Sequence, residues 1–231
     1  MKGYAHLSVI PMRATPSDKA EMVNQVLYGE TFDILERTEK WSKIRLHHDN
    51  YEGWTDNKQI ESGNANSKKK MGVVASLFKR VSIYGNAITL PMGAFTEHAM
   101  PVKDNLIKTA KRFLHTPYLW GGRTFMGIDC SGFAQVVFRV HGIRLKRDAW
   151  QQAAQGKKIK FTDAATNDLA FFHNAEGKVI HVGIVIKEKN KMNIIHASGK
   201  VRIDMLDEQG IFNADINAYS HQLHSIKRMT R

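Results

Sequence analysis

The chain has 231 residues, 42% hydrophobic and 24% charged, the balance of an ordinary globular protein and not of a disordered or low-complexity one. That length suits two small domains or one of fair size. No run approaches the roughly 18–20 consecutive apolar residues of a membrane span. Met1-Lys2-Gly3-Tyr4-Ala5-His6 leads into no apolar stretch, so no secretory signal is legible. The expectation is a cytoplasmic protein, or a periplasmic or secreted one whose leader has been removed. A single cysteine excludes an intrachain disulfide framework and any CxxC-type zinc site. With 34 Lys and Arg against 22 Asp and Glu, the net charge is +12, which suits nucleic acid, anionic lipid or a carboxylate-rich small substrate. Aromatics do not interleave with the basic residues as a nucleic-acid surface requires, so no nucleic-acid partner is expected.

The first sixty residues read as short β-strands separated by turns. Apolar residues alternate in Phe32-Asp33-Ile34-Leu35 and in Trp41-Ser42-Lys43-Ile44-Arg45-Leu46, the period of a half-buried strand. Asp49-Asn50 and Glu52-Gly53 supply turn chemistry. Strands this short and closely spaced predict a small β-barrel. The arrangement Arg13, Pro16, Leu27-Tyr28-Gly29-Glu30, Trp41, Ile44 and Gly53-Trp54 resembles the bacterial Src-homology-3-like domain over about residues 4–60. Residues 61–70, ending in Lys68-Lys69-Lys70, read as a solvated linker. Val73-Val74-Ala75, Val81-Ser82-Ile83-Tyr84 and residues 87–93 look like further strands of a shortened second barrel, too small to complete a core without neighbours. The expected organisation is a barrel at 1–62, a linker with this candidate second barrel at 63–102, and a third region at 103–231.

After Pro101 the pattern changes. Asp104 is the expected cap of a helix whose apolar positions Leu106, Ile107, Ala110, Phe113 and Leu114 run until Pro117 stops it. A sharper helix follows, with Asp129 as N-cap, Phe133, Val136, Val137 and Val140 as its apolar stripe, and Gly142 at its end. Strands are expected at 169–172, 179–186, 192–198 and 201–206. Helices first and strands later predict an α+β domain.

Cys130 stands at the first turn of that second helix, behind the glycine-rich approach Trp120-Gly121-Gly122-Arg123 and Gly127-Ile128-Asp129. A lone cysteine is commonly a small buried hydrophobe. At a helix start, however, unpaired amides and the dipole favour thiolate over thiol and lower the pKa from near ~8.5. The same amides suit the oxyanion of a tetrahedral intermediate. A nucleophilic cysteine also needs a base, and the base an orienting group. Of the 11 histidines, His181 and His196 lie inside apolar strand runs. If those strands form a hairpin with a four-residue loop from Lys187 to Asn190, Ile186 faces Lys191 and His181 faces His196, on one face of the sheet. A one-residue slip would separate the pair.

Asp129-Cys130-Ser131-Gly132-Phe133, Asn167-Asp168-Leu169-Ala170-Phe171-Phe172, His181-Val182-Gly183-Ile184 and Ile195-His196-Ala197 resemble, in order and over about residues 103–231, the NlpC-type cysteine peptidases of bacterial cell-wall metabolism. The resemblance implies a papain-like α+β fold with an antiparallel sheet, and cleavage of the γ-D-glutamyl bond to a diamino acid in peptidoglycan peptides. It implies Cys130 as nucleophile, His181 as base and His196 as orienter, with no metal or other cofactor. Members preceded by such barrels resemble γ-D-glutamyl-L-diamino acid endopeptidases of the dipeptidyl-peptidase VI type. In these the first barrel closes one end of the cleft and reads the free amino group of the substrate's L-alanine. Carried over, that implies Glu21, Tyr51 and Asp129 around the ammonium, Ser131 at the substrate, and help from Tyr118 at the oxyanion. Glu21 as a solvated turn residue, Tyr51 as a packing aromatic and Asp129 as a plain N-cap stay open. Three departures blur substrate detail: Ala149 where relatives often carry Ser, Asn167 where they often carry Gly, and a longer loop between the histidine strands. The rival readings are an inactive cell-wall-binding module, and an amidase or acyltransferase on the same fold.

Overall fold

Alternating apolar and polar side chains turn the first sixty residues into seven short strands: β1 (Lys2–Ala5), β2 (Val9–Arg13), β3 (Met22–Leu27), β4 (Thr31–Arg37), β5 (Trp41–Leu46), β6 (Glu52–Asp56) and β7 (Ile60–Ser62). The computed structural model describes residues 1–63, 71–83, 85–189 and 191–230. The run Lys68-Lys69-Lys70, Tyr84 and Asn190 therefore lie outside the described residues. Two compact units result, one of Met1–Lys103 with Leu119–Gly127, the other of Asp104–Tyr118 with Ile128–Arg231.

In the first unit the strands pair antiparallel in the order β3-β2-β6-β5-β4-β1-β7. Phe32, Ile34, Ile44 and Leu46 alternate inward and join Ile10, Met12, Val26 and Ile60 in one core. Burying such a side chain stabilises the barrel by roughly 1.5–3 kcal/mol. Asp49 and Asn50 do make a turn: Asn50 adopts a left-handed φ of 62°, and the Tyr51 N–H donates to Asp49 Oδ1 at 2.9 Å. Glu52 and Gly53, expected in a turn, instead begin β6, because Gly53 pairs with Ile44 beside Met12, where a Cβ would collide.

Residues 71–100 form two small ribbons, β8 (Gly72–Val73) with β11 (Phe95–Thr96), and β9 (Phe78–Ile83) with β10 (Asn86–Pro91). Their core of Val74, Val81, Leu90 and Ala94 is completed by Leu27 of β3, with Val9 and Tyr28 against it. Segment 119–127 is anchored in this unit by Arg123, which is fully buried. Its guanidinium donates to both Glu30 carboxylate oxygens, at 3.0 and 2.8 Å, and to the Gln25 carbonyl at 2.6 Å. Removing one partner of such a buried pair costs about 3–5 kcal/mol. His48 bridges the same cluster to Asp49, with Nε2 2.9 Å from Asp49 Oδ2.

The second unit opens with α1 (Leu106–Lys111). Its cap is Asn105, whose side chain accepts from the Lys108 N–H, and not Asp104, which pairs with Arg112. The helix stops well short of Pro117, which bridges to Lys200. β12 (Arg123–Thr124) belongs to the first unit; β13 (Gly127–Ile128), which pairs with it, leads to α2 (Cys130–Val140), and α3 (Ala149–Ala153) follows. Asp129 caps α2 as expected, its carboxylate accepting from the Gly132 N–H at 2.6 Å; Gly142, at φ 79°, ends it. All of α2 is buried, and its Phe133 meets Phe113, two residues past the end of α1, edge to face.

The sheet contains β14 (Lys157–Ile159), β15 (Leu169–His173), β16 (Val179–Glu188), β17 (Lys191–Ser198), β18 (Lys200–Leu206), β19 (Gly210–Asn213) and β20 (Ala218–Arg228). Their order is β14-β20-β15-β16-β17-β18-β19, and β19 pairs again with β20, so the sheet closes on itself in a barrel-like curve. With the helices it makes an α+β unit. Phe172, Val185, Ile194 and Leu206 form the heart of its core.

Candidate active site

Strand geometry decides which side chains share a face. His181 lies four residues before Val185, His196 two after Ile194, and Asp204 two before Leu206, so all three point to the side of the sheet that carries the core cluster. The register differs from the expected one by two residues. β16 and β17 meet at Glu188 opposite Lys191, with Lys189 at a left-handed φ of 49°, so two residues join the strands instead of four. His196 therefore faces Gly183, and His181 is its diagonal neighbour. A shift of two preserves the face, and diagonal residues remain within reach of long side chains. Gly183 makes the diagonal possible: a Cβ there would stand 2.9 Å from the His196 Cβ and 2.6 Å from the end of Ile194.

The result is a buried polar chain. His181 Nε2 lies 2.8 Å from His196 Nδ1, and His196 Nε2 lies 2.8 Å from Asp204 Oδ2. Arg202 donates to Asp204 Oδ1 at 2.8 Å and continues to Asp215 at 2.9 Å. Burial alone would raise the Asp204 carboxyl, but hydrogen bonds from His196 and Arg202 outweigh it and hold it below the usual carboxylate range. An ionised Asp204 only accepts, so His196 carries its proton on Nε2. In the tautomer where His196 is protonated at Nε2 alone, its Nδ1 accepts from His181 Nε2–H. Nδ1 of His181 is then the nitrogen without a proton. Burial, followed by the nearby His196 and His221, pushes the His181 imidazolium well below the ordinary histidine range, so the ring rests neutral.

Cys130 is buried, with the backbone N–H groups of Val182 and Ser131 against its sulfur. Val182 directly follows His181, so the strand that carries His181 also touches the thiol. The expected lowering of the thiol pKa does not follow. Burial first, then the Asp129 carboxylate, push Cys130 up to about 12, against the opposing pull of the two amides and Arg147. The helix start is as anticipated, but its dipole acts where there is no water to share the charge. Tyr118 lies close enough to Cys130 and Asp129 that their charges, after burial, raise its phenol above the ordinary range.

Asp129 does more than cap. Arg147, itself 1% exposed, grips both carboxylate oxygens and donates to the Ser131 hydroxyl at 3.0 Å, while Ser131 donates to Asp129 at 3.2 Å. Much of the Asp129 charge is thereby already balanced. In the first unit, Glu21 accepts the indole N–H of Trp120 at 2.5 Å. Tyr51 packs against the barrel core. Cys130, His181 and His196 are thus gathered in one unit with Tyr118, Asp129 and Ser131, while Glu21 and Tyr51 belong to the other.

Asp204, Arg147 and His221 were not singled out from sequence. None of the three had a legible signal: the apolar alternation Val201, Ile203, Met205 puts Asp204 on the polar side of its strand, yet Ile203 and Met205 are exposed and Asp204 is buried. Among the described residues, no group of three or more His, Cys, Asp or Glu is arranged to hold a metal ion, and no helix is long and apolar enough to cross a membrane.

A thiol at a helix start, with two coupled imidazoles and a carboxylate on an antiparallel sheet of the same unit, supplies the groups that a thiol nucleophile requires. Residues 115–219 match the NlpC/P60 family, and residues 12–60 match the bacterial dipeptidyl-peptidase Sh3 domain. The chain therefore carries an NlpC/P60 domain behind a bacterial SH3 domain. It is 37% identical over 112 residues to a γ-D-glutamyl-L-lysine dipeptidyl-peptidase of Bacillus cereus, a match covering 48% of this chain and 34% of the relative. The chain thus spans about a third of that protein's length. Against dipeptidyl-peptidase 6 of Lysinibacillus sphaericus the identity is 26%, over 85% of this chain and 88% of the relative. The crystal structure of an NlpC/P60 family protein from Bacillus cereus shares the fold, with a TM-score of 0.82, 19% identity and 99% of each chain covered.

Proposed function

We propose that the protein is a cysteine peptidase that cuts the γ-D-glutamyl bond to the diamino acid in peptidoglycan peptides beginning with a free L-Ala. The observation that carries this reading is the hydrogen-bonded chain from Asp204 through His196 to His181, beside the buried Cys130. The γ-D-glutamyl-L-lysine dipeptidyl-peptidase of Bacillus cereus, to which the chain is similar, supports the substrate class, and dipeptidyl-peptidase 6 of Lysinibacillus sphaericus supports the peptidase reading.

In this reading the Cys130 proton passes to His181 Nδ1 as Sγ attacks the γ-carbonyl carbon of D-Glu. Backbone N–H groups near Cys130, with Tyr118 as a neutral donor, hold the oxyanion. The intermediate collapses as His181 returns the proton to the leaving amine of the diamino acid, which leaves L-Ala-γ-D-Glu as a thioester on Cys130. Water, deprotonated by His181, then releases the dipeptide and restores the thiol. His196 and Asp204 keep the His181 proton on Nε2 throughout. A thiol pushed up to about 12 gains nothing by ionising alone, so deprotonation coupled to attack suits this site better than a resting thiolate.

On the family resemblance alone, Glu21, Tyr51 and Asp129 are each proposed as contacts of the free L-Ala ammonium, and Ser131 as a substrate contact. A buried ammonium needs carboxylate partners, which an acetylated amine would not. The site of action is proposed to be the cytoplasm, in the recycling of wall peptides. Mass spectrometry of digests of defined tri- and tetrapeptides tests the reading. Expected is L-Ala-D-Glu with the remaining diamino acid peptide, and a sharp loss of cleavage on N-acetylation. Equal rates for the acetylated peptide remove the roles given to Glu21 and Tyr51; cleavage at an amide of the glycan, or none, removes the peptidase assignment.

A further inference from the structure

The imidazole of His181 is held by a third histidine. His221, on β20, stacks on it with ring centroids 4.1 Å apart and planes inclined by 24°. Phe172 borders the same ring at 5.8 Å, tilted by 48°, and His196 meets it edge-on at 5.1 Å. His181 is thus fixed in its plane by His196, and its ring face is covered by His221. We propose that His221 is a positioning residue for His181: its flat ring keeps the base in the one rotation that aims Nε2 at His196 and Nδ1 at the thiol. The proposal rests on the role given to His181 above and adds a residue to it.

The surroundings of His221 favour a neutral ring. His181 on β16 and His196 on β17 face it, Phe172 of β15 lies edge-on at 6.0 Å, and its own neighbour Ser220 meets Nδ1 at 2.9 Å. Asp204 on β18 is the acidic group that acts on it. Burial and His196 outweigh Asp204 and bring its pKa down to about 4. A neutral aromatic face against His181 is attractive when that ring takes up the cysteine proton, and a second charged imidazole there would oppose it. Geometry selects the ring, not its hydrogen bonds: β20 reaches the site because it pairs with both β15 and β19, which puts His221 opposite Ile211 and two residues from Leu223, the direct partner of Phe172.

The test separates the flat ring from its chemistry. His221→Phe keeps a stacking face and loses the nitrogens; His221→Ala loses both. Two-dimensional proton–nitrogen spectra of the imidazoles report the His181 tautomer without any substrate. Expected is a single Nε2–H tautomer in the wild type and in H221F, and a mixture in H221A. Turnover of L-Ala-γ-D-Glu-diaminopimelate should show kcat lowered about three- to tenfold in H221A, with KM unchanged, and restored in H221F. An unmixed His181 tautomer in H221A overturns the proposal, as does an H221F protein no better than H221A. If the spectra behave as expected while the wild type cleaves nothing, the positioning role stands and the peptidase reading falls.

Discussion

Removing the carboxylate at the end of the polar chain separates a working relay from a pair of packed histidines. Asp204 accepts from His196 Nε2 at 2.8 Å, and a hydrogen bond to a charged group contributes about 1.5–3 kcal/mol. If that bond holds the chain in its productive tautomer, Asp204→Ala exposes His181 to the alternative one. At about 1.36 kcal/mol per tenfold, kcat/KM should fall roughly 10- to 150-fold. Asp204→Asn keeps an acceptor without the charge, and a neutral bond contributes only about 0.5–1.5 kcal/mol, so its loss should be intermediate. Arg202 retains Asp215 and Asn213 in either variant, so the fold should survive. The assay is amine release from L-Ala-γ-D-Glu-diaminopimelate, paired with a thermal melt. A D204A protein that melts normally and works within twofold of the wild type refutes the relay.

Three further outcomes follow from the charges. Because burial and Asp129 push the Cys130 thiol up to about 12, iodoacetamide labelling of the free protein should climb steadily over about pH 7–10; a plateau already below neutrality means a resting thiolate–imidazolium pair. Arg147→Met strands the buried Asp129 carboxylate and should cost about 3–5 kcal/mol in urea unfolding, with a change under about 1 kcal/mol counting against the bridge. In the first unit, burial of Asp49 is outweighed by His48, and its carboxyl falls from 3.8 to about 2. Its contribution, about 2 kcal/mol, is full above the unfolded value near 3.8 and is lost as pH falls through about 2. Asp49→Asn should therefore flatten the acid limb of the stability curve, and an unaltered limb contradicts the pairing.

Local patterns were the most legible. The stripe of α2, its Asp129 cap and its Gly142 stop depend on neighbours in sequence, and they are where expected. Asn105 displaced Asp104 as the cap of α1 because both residues have capping side chains and only the position of the first buried residue, Leu106, separates them. The histidine pair shows how register enters. Alternation identifies the face correctly whether the loop has two residues or four, but not the direct partner, and Gly183 turned out to be the residue opposite His196. Asp204 depends on a further pairing, Ile194 with Asp204 across β17 and β18, which no local pattern encodes. His221 lies on β20, whose stretch Ser220-His221-Gln222-Leu223-His224-Ser225 has little apolar alternation. Nor does sequence reveal burial, which is why a helix start that favours thiolate in water holds a thiol here.

The most direct measurement is turnover by Cys130→Ala against the wild type, on L-Ala-γ-D-Glu-diaminopimelate, with both proteins checked by thermal melt. Release of L-Ala-D-Glu by the wild type and none above background by the folded variant is the expected result. Undiminished release by C130A would mean that some other group attacks the γ-carbonyl, and that the imidazole chain beside this sulfur serves another purpose.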